Sequence, residues 1–254
     1  MATHDRVLQT IRALLAKAES TTYPDEATAL TAKAQELIAA HAIDLALIEE
    51  QTGRGDVATR VLFIPAPYPK EKFVLLGGVA RANGSRAILG LEDDQFKDMV
   101  TSGDMFSRDG RYATLVGYSS DLDGVELLFT SLLVQAVNIM LAHGTQTDGY
   151  GRNRTKSFRR SFLNGFAWTV SGRLEDARRS AAERTYSHDR FVSVLPVLAS
   201  RQESVDEAVA EKFTGLSTLK TSVSNYDGIA AGNHAGARAD IGNGRVGGGR
   251  AAVR

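Results

Sequence analysis

Five cations, Arg152, Arg154, Lys156, Arg159 and Arg160, fall within nine consecutive positions that contain no acid. A cluster of this kind can neutralise several phosphates, and each neutralised phosphate releases condensed counterions, which makes binding tight at low salt and weak at high salt. The apolar periodicity that begins at Ser157 and Phe158 places the cluster where a loop becomes a helix, so unpaired backbone amides add donors for an anion. Cations at that end oppose the helix dipole rather than complement it, which favours an anionic partner. The competing reading is a solvated loop that pairs with the acidic first third of the chain. Arg245 and Arg250, in a Gly/Arg-rich tail at 242–254, complete the set of expected phosphate contacts.

Charge along the chain points the same way. The 254 residues carry 30 basic and 30 acidic side chains, yet residues 1–56 are net −4, 57–144 net −2 and 145–254 net +6. Such asymmetry suggests an anionic partner, or attraction between the two ends within the fold or between copies. With no cysteine, thiolate catalysis, disulfides, iron–sulfur clusters and Cys-ligated zinc are excluded. No run reaches the ~18 uninterrupted apolar residues of a membrane helix, and 1–12 lacks the basic start and apolar run of a secretory signal. A cytoplasmic protein with no membrane partner is expected.

Other chemistry has weaker support. Gly242-Asn243-Gly244-Arg245-Val246-Gly247 matches the letters of a dinucleotide fingerprint, but no strand and helix flank it to aim amides at a pyrophosphate. No GxxxxGK[ST], HExxH or GxSxG occurs. The five histidines are scattered: His41 lies on an apolar helical face, His143 at a helix end, and only His188, beside Tyr186 and Asp189, suits a general base. Acidic groups at Glu92-Asp93-Asp94, Asp104/Asp109 and Asp121/Asp123 could hold Mg²⁺, although the last pair fits helix-start electrostatics without a metal. No catalytic residue, metal or cofactor is assigned.

The elements that must position the basic cluster follow from hydrophobic spacing. Val7, Ile11, Leu14, Leu15 and Ala18, then Ala27, Leu30, Ala34, Leu37, Ile38 and His41, predict two helices in a hairpin across 1–52. Val57–Ile64 predicts a strand, Lys70–Ala82 a helix and Arg86–Leu89 a short strand. Met105–Phe106 and Tyr112–Val116 predict strands flanking a tight turn at Asp109-Gly110. A long apolar helix is expected from about Asp121 to His143, capped by Ser119 or Ser120, and a second from about Ser157 to Arg184 with Phe158, Phe162, Phe166 and Trp168 in the core. A helix at Ser200–Phe213 follows. Ala230, Ala231, Gly232, Ala235, Gly236, Ala237 and Ala239 predict a last helix within 225–241 that packs closely on a neighbour. The fold class is α+β, predominantly α, with an N-terminal helical hairpin, a small mixed sheet, two long packed helices in a body at 57–241, and the Gly/Arg tail.

Ile11-Arg12-Ala13-Leu14-Leu15-Ala16-Lys17-Ala18-Glu19, Glu26-Ala27, Ala32-Lys33-Ala34-Gln35-Glu36-Leu37-Ile38 and His41-Ala42-Ile43-Asp44 together resemble the domain of unknown function 2786 family over about 5–45. Leu115-Val116-Gly117-Tyr118-Ser119-Ser120-Asp121 and Ser157–Phe166 resemble, more loosely, the region that follows this hairpin in such proteins. The resemblance implies a helix–sheet–helix order and a bacterial or phage setting, and it supplies no catalytic residues to transfer.

The expected function is therefore a non-enzymatic, nucleic-acid-associated protein. DNA or RNA is bound through the basic loop and helix start, while the N-terminal hairpin contacts protein. The alternatives are a protein–protein or assembly subunit, including a homo-oligomer, and a hydrolase built from residues distant in sequence around Tyr186, His188 and Asp189.

Overall fold

Six residues in a row, Ala113 to Tyr118, are buried, so the strand that contains them must be covered on both faces. This strand is the middle one of the sheet. In the computed structural model, which describes residues 2–21, 30, 33–34, 37–38, 55–90, 110–185, 194–239 and 241, β1 spans Val57–Pro65, β2 Arg86–Leu89 and β3 Gly110–Tyr118. The strand order is β1-β3-β2 and both pairings are antiparallel, with Val57 opposite Tyr118 and Arg86 opposite Val116. The sheet expected as mixed is thus antiparallel among the described residues, because β3 inserts between two strands that precede it in the chain. Gly110 opens β3 opposite Pro65 rather than forming a turn, while Met105, Phe106 and Asp109 lie outside the described residues.

Six helices are present among the described residues: α1 (Ala2–Ser20), α2 (Pro69–Ala82), α3 (Ser119–Ala142), α4 (Thr155–Thr185), α5 (Val194–Lys212) and α6 (Tyr226–Arg238). With about 65% of the described residues helical, the fold is α+β and predominantly α. By its internal contacts the chain divides into two units, Met1–Ile38 with Asp240–Arg254, and Ala39–Ala239. In the first, α1 buries Ile11 and Leu15, and Ala34 and Ile38 are buried at the same four-residue spacing, as an amphipathic pair of helices requires.

In the second unit the two faces of the sheet have different covers. Val116 and Tyr118 pack with Val205 and Phe213 at α5, and Arg201 of α5 lies over the Tyr118 ring at 3.5 Å while bridging Asp121 at 3.0 Å. Residues of opposite parity face α2 and α3, as the closeness of Gly117 to Leu122 shows. The cap expected at Ser119 or Ser120 is absent: Tyr118 is the N-cap of α3, with no side-chain cap bond, and Asp121 in the first turn supplies the negative charge that the helix start favours. Helix α5 begins at Val194, six residues before the expected start, since Pro196 falls in its first turn, where a missing N–H costs nothing.

Helix α4 is the spine of this unit. Phe158, Phe162 and Phe166 are buried, but Trp168 is 45% exposed. Two residues beyond Phe166, its Cβ is rotated about 200° away from the Phe stripe, which corrects the core assignment of that ring. The glycines of α6 lie on the α4 backbone at matching four-residue steps: a Cβ on Gly228, Gly232 or Gly236 would meet the carbonyl of Phe158, Phe162 or Phe166. Asn225 caps α6 by accepting from the Gly228 amide at 2.8 Å, and Ser161 of α4 accepts from the Asn225 amide at 3.2 Å. At the other end, Arg173 donates to the carbonyls of Gly236 and Ala239. The small residues of α6 thus serve the close approach that their size predicts.

Candidate functional site

The loop that carries Arg152 and Arg154 is a short hydrogen-bonded hairpin. Thr147 and Asn153 form an antiparallel bridge. The Asp148 amide donates to Arg152 O at 3.0 Å, Arg154 to Gln146 O at 2.8 Å, and Gly151 to Asp148 O at 2.9 Å. Gly151 adopts φ +77°, which glycine reaches without a Cβ penalty. Asp148 clamps the tip: its Oδ1 accepts the amides of Tyr150 and Arg152, each at 3.0 Å, and its Oδ2 accepts Arg152 Nε at 2.8 Å. Desolvation pushes the Asp148 pKa up, but the bonds from Arg152 and Tyr150 and the charge of Arg154 outweigh it and hold the carboxyl below its usual 3.8. Thr155 fastens the hairpin to α4, accepting from the Gln146 amide and donating its own amide to Asn153 Oδ1, both at 2.9 Å.

Beyond the hairpin, the start of α4 faces the start of α2. Arg160 Nε donates to Glu71 Oε1 at 2.6 Å, and Glu71 is buried. Around this pair lies an open cleft of about 280 Å³, lined also by Tyr68, Lys70, Arg111 and Lys156. Tyr68, the N-cap of α2, holds φ +67°, a left-handed conformation that costs a non-glycine residue about 1 kcal/mol. Its carbonyl accepts from the Lys72 amide at 3.1 Å, and Lys72 Nζ donates to Pro65 O at 2.8 Å. Burial of Lys72 lowers the pKa of its ammonium.

The cluster read from the sequence therefore divides. Arg152 and Arg154 are exposed on the hairpin, and Lys156 and Arg160 line the cleft. Arg159 is half-buried, and its Nε has no acceptor among the described residues. Arg245 and Arg250 lie outside the described residues. Among the described residues, the acids that neutralise part of the cluster are Asp148 and Glu71. Sequence reasoning missed Lys70 and Arg111, which are isolated in the chain and meet Lys156 only in three dimensions. It also missed Asp148 and Tyr150. The Asp148-Gly149-Tyr150-Gly151-Arg152 spacing, an acid four residues before an arginine across two glycines, was the available signal for an acid-clamped turn.

The weaker chemical candidates find other roles or fall outside the described residues. Asp121 and Asp123 pair with Arg201 at 3.0 Å and Arg60 at 2.8 Å. Among the described residues no three metal-ligating side chains converge. His143 ends α3 with its ring 5.3 Å from Phe158 and 5.7 Å from Phe162, and His234 is exposed on α6. His41, the Glu92-Asp93-Asp94 group, Asp104, Asp109, Tyr186, His188 and Asp189 lie outside the described residues.

Fold and site together define a predominantly helical α+β protein with a cationic cleft and an acid-clamped basic hairpin. Residues 6–45 match the family described as protein of unknown function (DUF2786). The later segments, including the site, lie outside the match. No curated protein and no solved structure matches the chain.

Proposed function

We propose that the protein binds the phosphate backbone of nucleic acid, without catalysing a reaction on it, through the 146–154 hairpin and the cleft at the start of α4. The observation that carries this reading is the convergence of Lys70, Arg111 and Lys156, from α2, β3 and α4, on one open cleft. All three are exposed, and none engages a carboxylate among the described residues. The one acid in the cleft, Glu71, is already held by Arg160. Three cations with no acid partner among the described residues, beside two helix starts, attract phosphate by charge and by amide donors, and Arg152 and Arg154 extend the positive surface onto the hairpin. The test replaces Lys70, Arg111 and Lys156 together by Ala and leaves Arg160 in place, since it supports a buried carboxylate. Affinity for labelled DNA or RNA should fall uniformly across sequences, and the slope of log K against log salt should flatten by about 2 to 3. An unchanged slope removes the cleft as the site.

Self-association is a second reading, favoured by the outer face of α3. Residues 127–142 contain no charged side chain, and Val134, Ile139 and Leu141 are 40%, 38% and 49% exposed. By length and composition α3 is also apolar enough to cross a membrane, although Leu122, Val125, Leu128, Leu132 and Ala136 are buried within the unit. A light-scattering mass of twice the chain, reduced to one chain by Val134→Lys, would establish the dimer.

A further inference from the structure

Resting on the phosphate-binding reading, we propose that the hairpin tip is a stacking platform for an unpaired base and that the preferred partner is single-stranded nucleic acid. Tyr150 is 87% exposed. A large ring in water is unremarkable on a floppy loop, but this loop is not floppy: one carboxylate and three backbone hydrogen bonds, two of which make the Thr147–Asn153 bridge, fix the peptide that carries the ring. The ordering cost that usually weakens a loop contact has therefore been met by the fold before any partner arrives. The Arg152 guanidinium sits 5.2 Å from the ring centroid, so the ring is flanked by a planar cation that can itself stack on a base.

The surroundings select the partner. Arg152 and Arg154 are exposed beside Tyr150, and Lys156, Lys70 and Arg111 continue the positive surface into the cleft. From Tyr150 to Lys156 the chain spans at most about 20 Å, so one short strand can reach both the ring and the cleft. Cations tracking a backbone next to an exposed aromatic are the two components of sequence-tolerant single-strand binding. A duplex satisfies the cations but keeps its bases stacked on one another and offers the ring no face. An acidic polypeptide likewise satisfies the cations and has no base to stack.

The test compares wild-type protein with Tyr150→Ala, Tyr150→Phe and Tyr226→Ala by anisotropy at about 50 mM salt. The probes are an oligo-dT of about 15 nucleotides and a duplex of equal length, with poly-glutamate as competitor. Tyr226 is 88% exposed and lies outside the hairpin, so it controls for the loss of any surface ring. Tyr150→Ala should weaken oligo-dT binding about tenfold and leave the duplex unchanged, while Tyr150→Phe and Tyr226→Ala bind as wild type. The inference is overturned if Tyr150→Ala binds oligo-dT as wild type does, loses both probes equally, or is matched by Tyr226→Ala. In each of those cases a weakened Lys70/Arg111/Lys156 variant leaves the phosphate reading standing. Displacement of oligo-dT by an equal charge of poly-glutamate overturns it in favour of an acidic protein partner. If neither nucleic acid binds, the phosphate reading itself fails and takes the inference with it.

Discussion

Replacing Gly232 by Ala tests the packing that holds the site's main helix in place. Within an exposed helix this change is stabilising by about 1 kcal/mol, because glycine loses more backbone entropy on folding. At Gly232 the new Cβ would overlap the Phe162 carbonyl oxygen and lie 2.9 Å from its carbon and 3.0 Å from its Cα. Those atoms are α4 backbone and cannot swing aside, so α6 must lift away from α4 by roughly 1 Å to restore ordinary contact, and the overpacking cost of about 1–3 kcal/mol is augmented by lost contact along the seam. A net destabilisation of about 2 kcal/mol is expected, which lowers Tm by about 6 °C in a protein of this size. Gly172→Ala is the matched control, since nothing lies within 4 Å of its Cβ position, and it should raise stability by about 0.5–1 kcal/mol. Urea and thermal unfolding of both variants read the difference. A Gly232→Ala protein as stable as the Gly172→Ala protein would refute the close approach of α6 to α4.

Two further outcomes follow from the acids that hold the cations. Arg160→Ala strands the buried Glu71 carboxylate and should cost about 2 kcal/mol, less than a fully enclosed pair because Arg160 is 39% exposed; adding Glu71→Gln should recover part of the loss, and strictly additive losses in thermal unfolding would exclude the coupling. Asp148 has a folded pKa below its usual 3.8, so the charge-assisted part of its contribution to hairpin order is complete above pH 3.8 and is lost as pH falls through the lower folded value; the Tyr150 and Arg152 amides should then lose part of their hydrogen-exchange protection, and protection left unchanged in Asp148→Ala, which removes the Oδ1 acceptor, would contradict the clamp.

Helices were legible wherever one face alone is buried. The Phe158, Phe162 and Phe166 stripe and the small residues of α6 reported their own packing, because a four-residue step on each helix leaves little choice of facing partner. The same pattern misplaced Trp168, since an aromatic two residues off the stripe has the composition of a core residue and the direction of a surface one. The start of α3 was hidden because the helix takes an extended tyrosine as its N-cap and draws on Asp121 instead of a hydroxyl. For the site, the charge cluster was visible and its sorting was not. Nothing local reveals that Arg160 supports Glu71 while Lys156 stays open, or that Lys70 and Arg111 join it. Those relations cross 45 to 89 residues of chain and exist only once α2, β3 and α4 are packed.

The position of β3 between β1 and β2 also sets an order of events during synthesis. Both outer strands leave the ribosome before the strand that each must pair with, so neither has a ladder partner until Gly110–Tyr118 follows. From then on the sheet can form in one step, with β3 supplying both ladders and passing directly into α3. Arg111 arrives on that same strand, so the cleft gains its second cation as the sheet closes, and Lys156 completes it only 45 residues later. A chain interrupted before residue 110 would display two unpaired strands, the kind of edge that recruits other chains, and would lack a finished anion site.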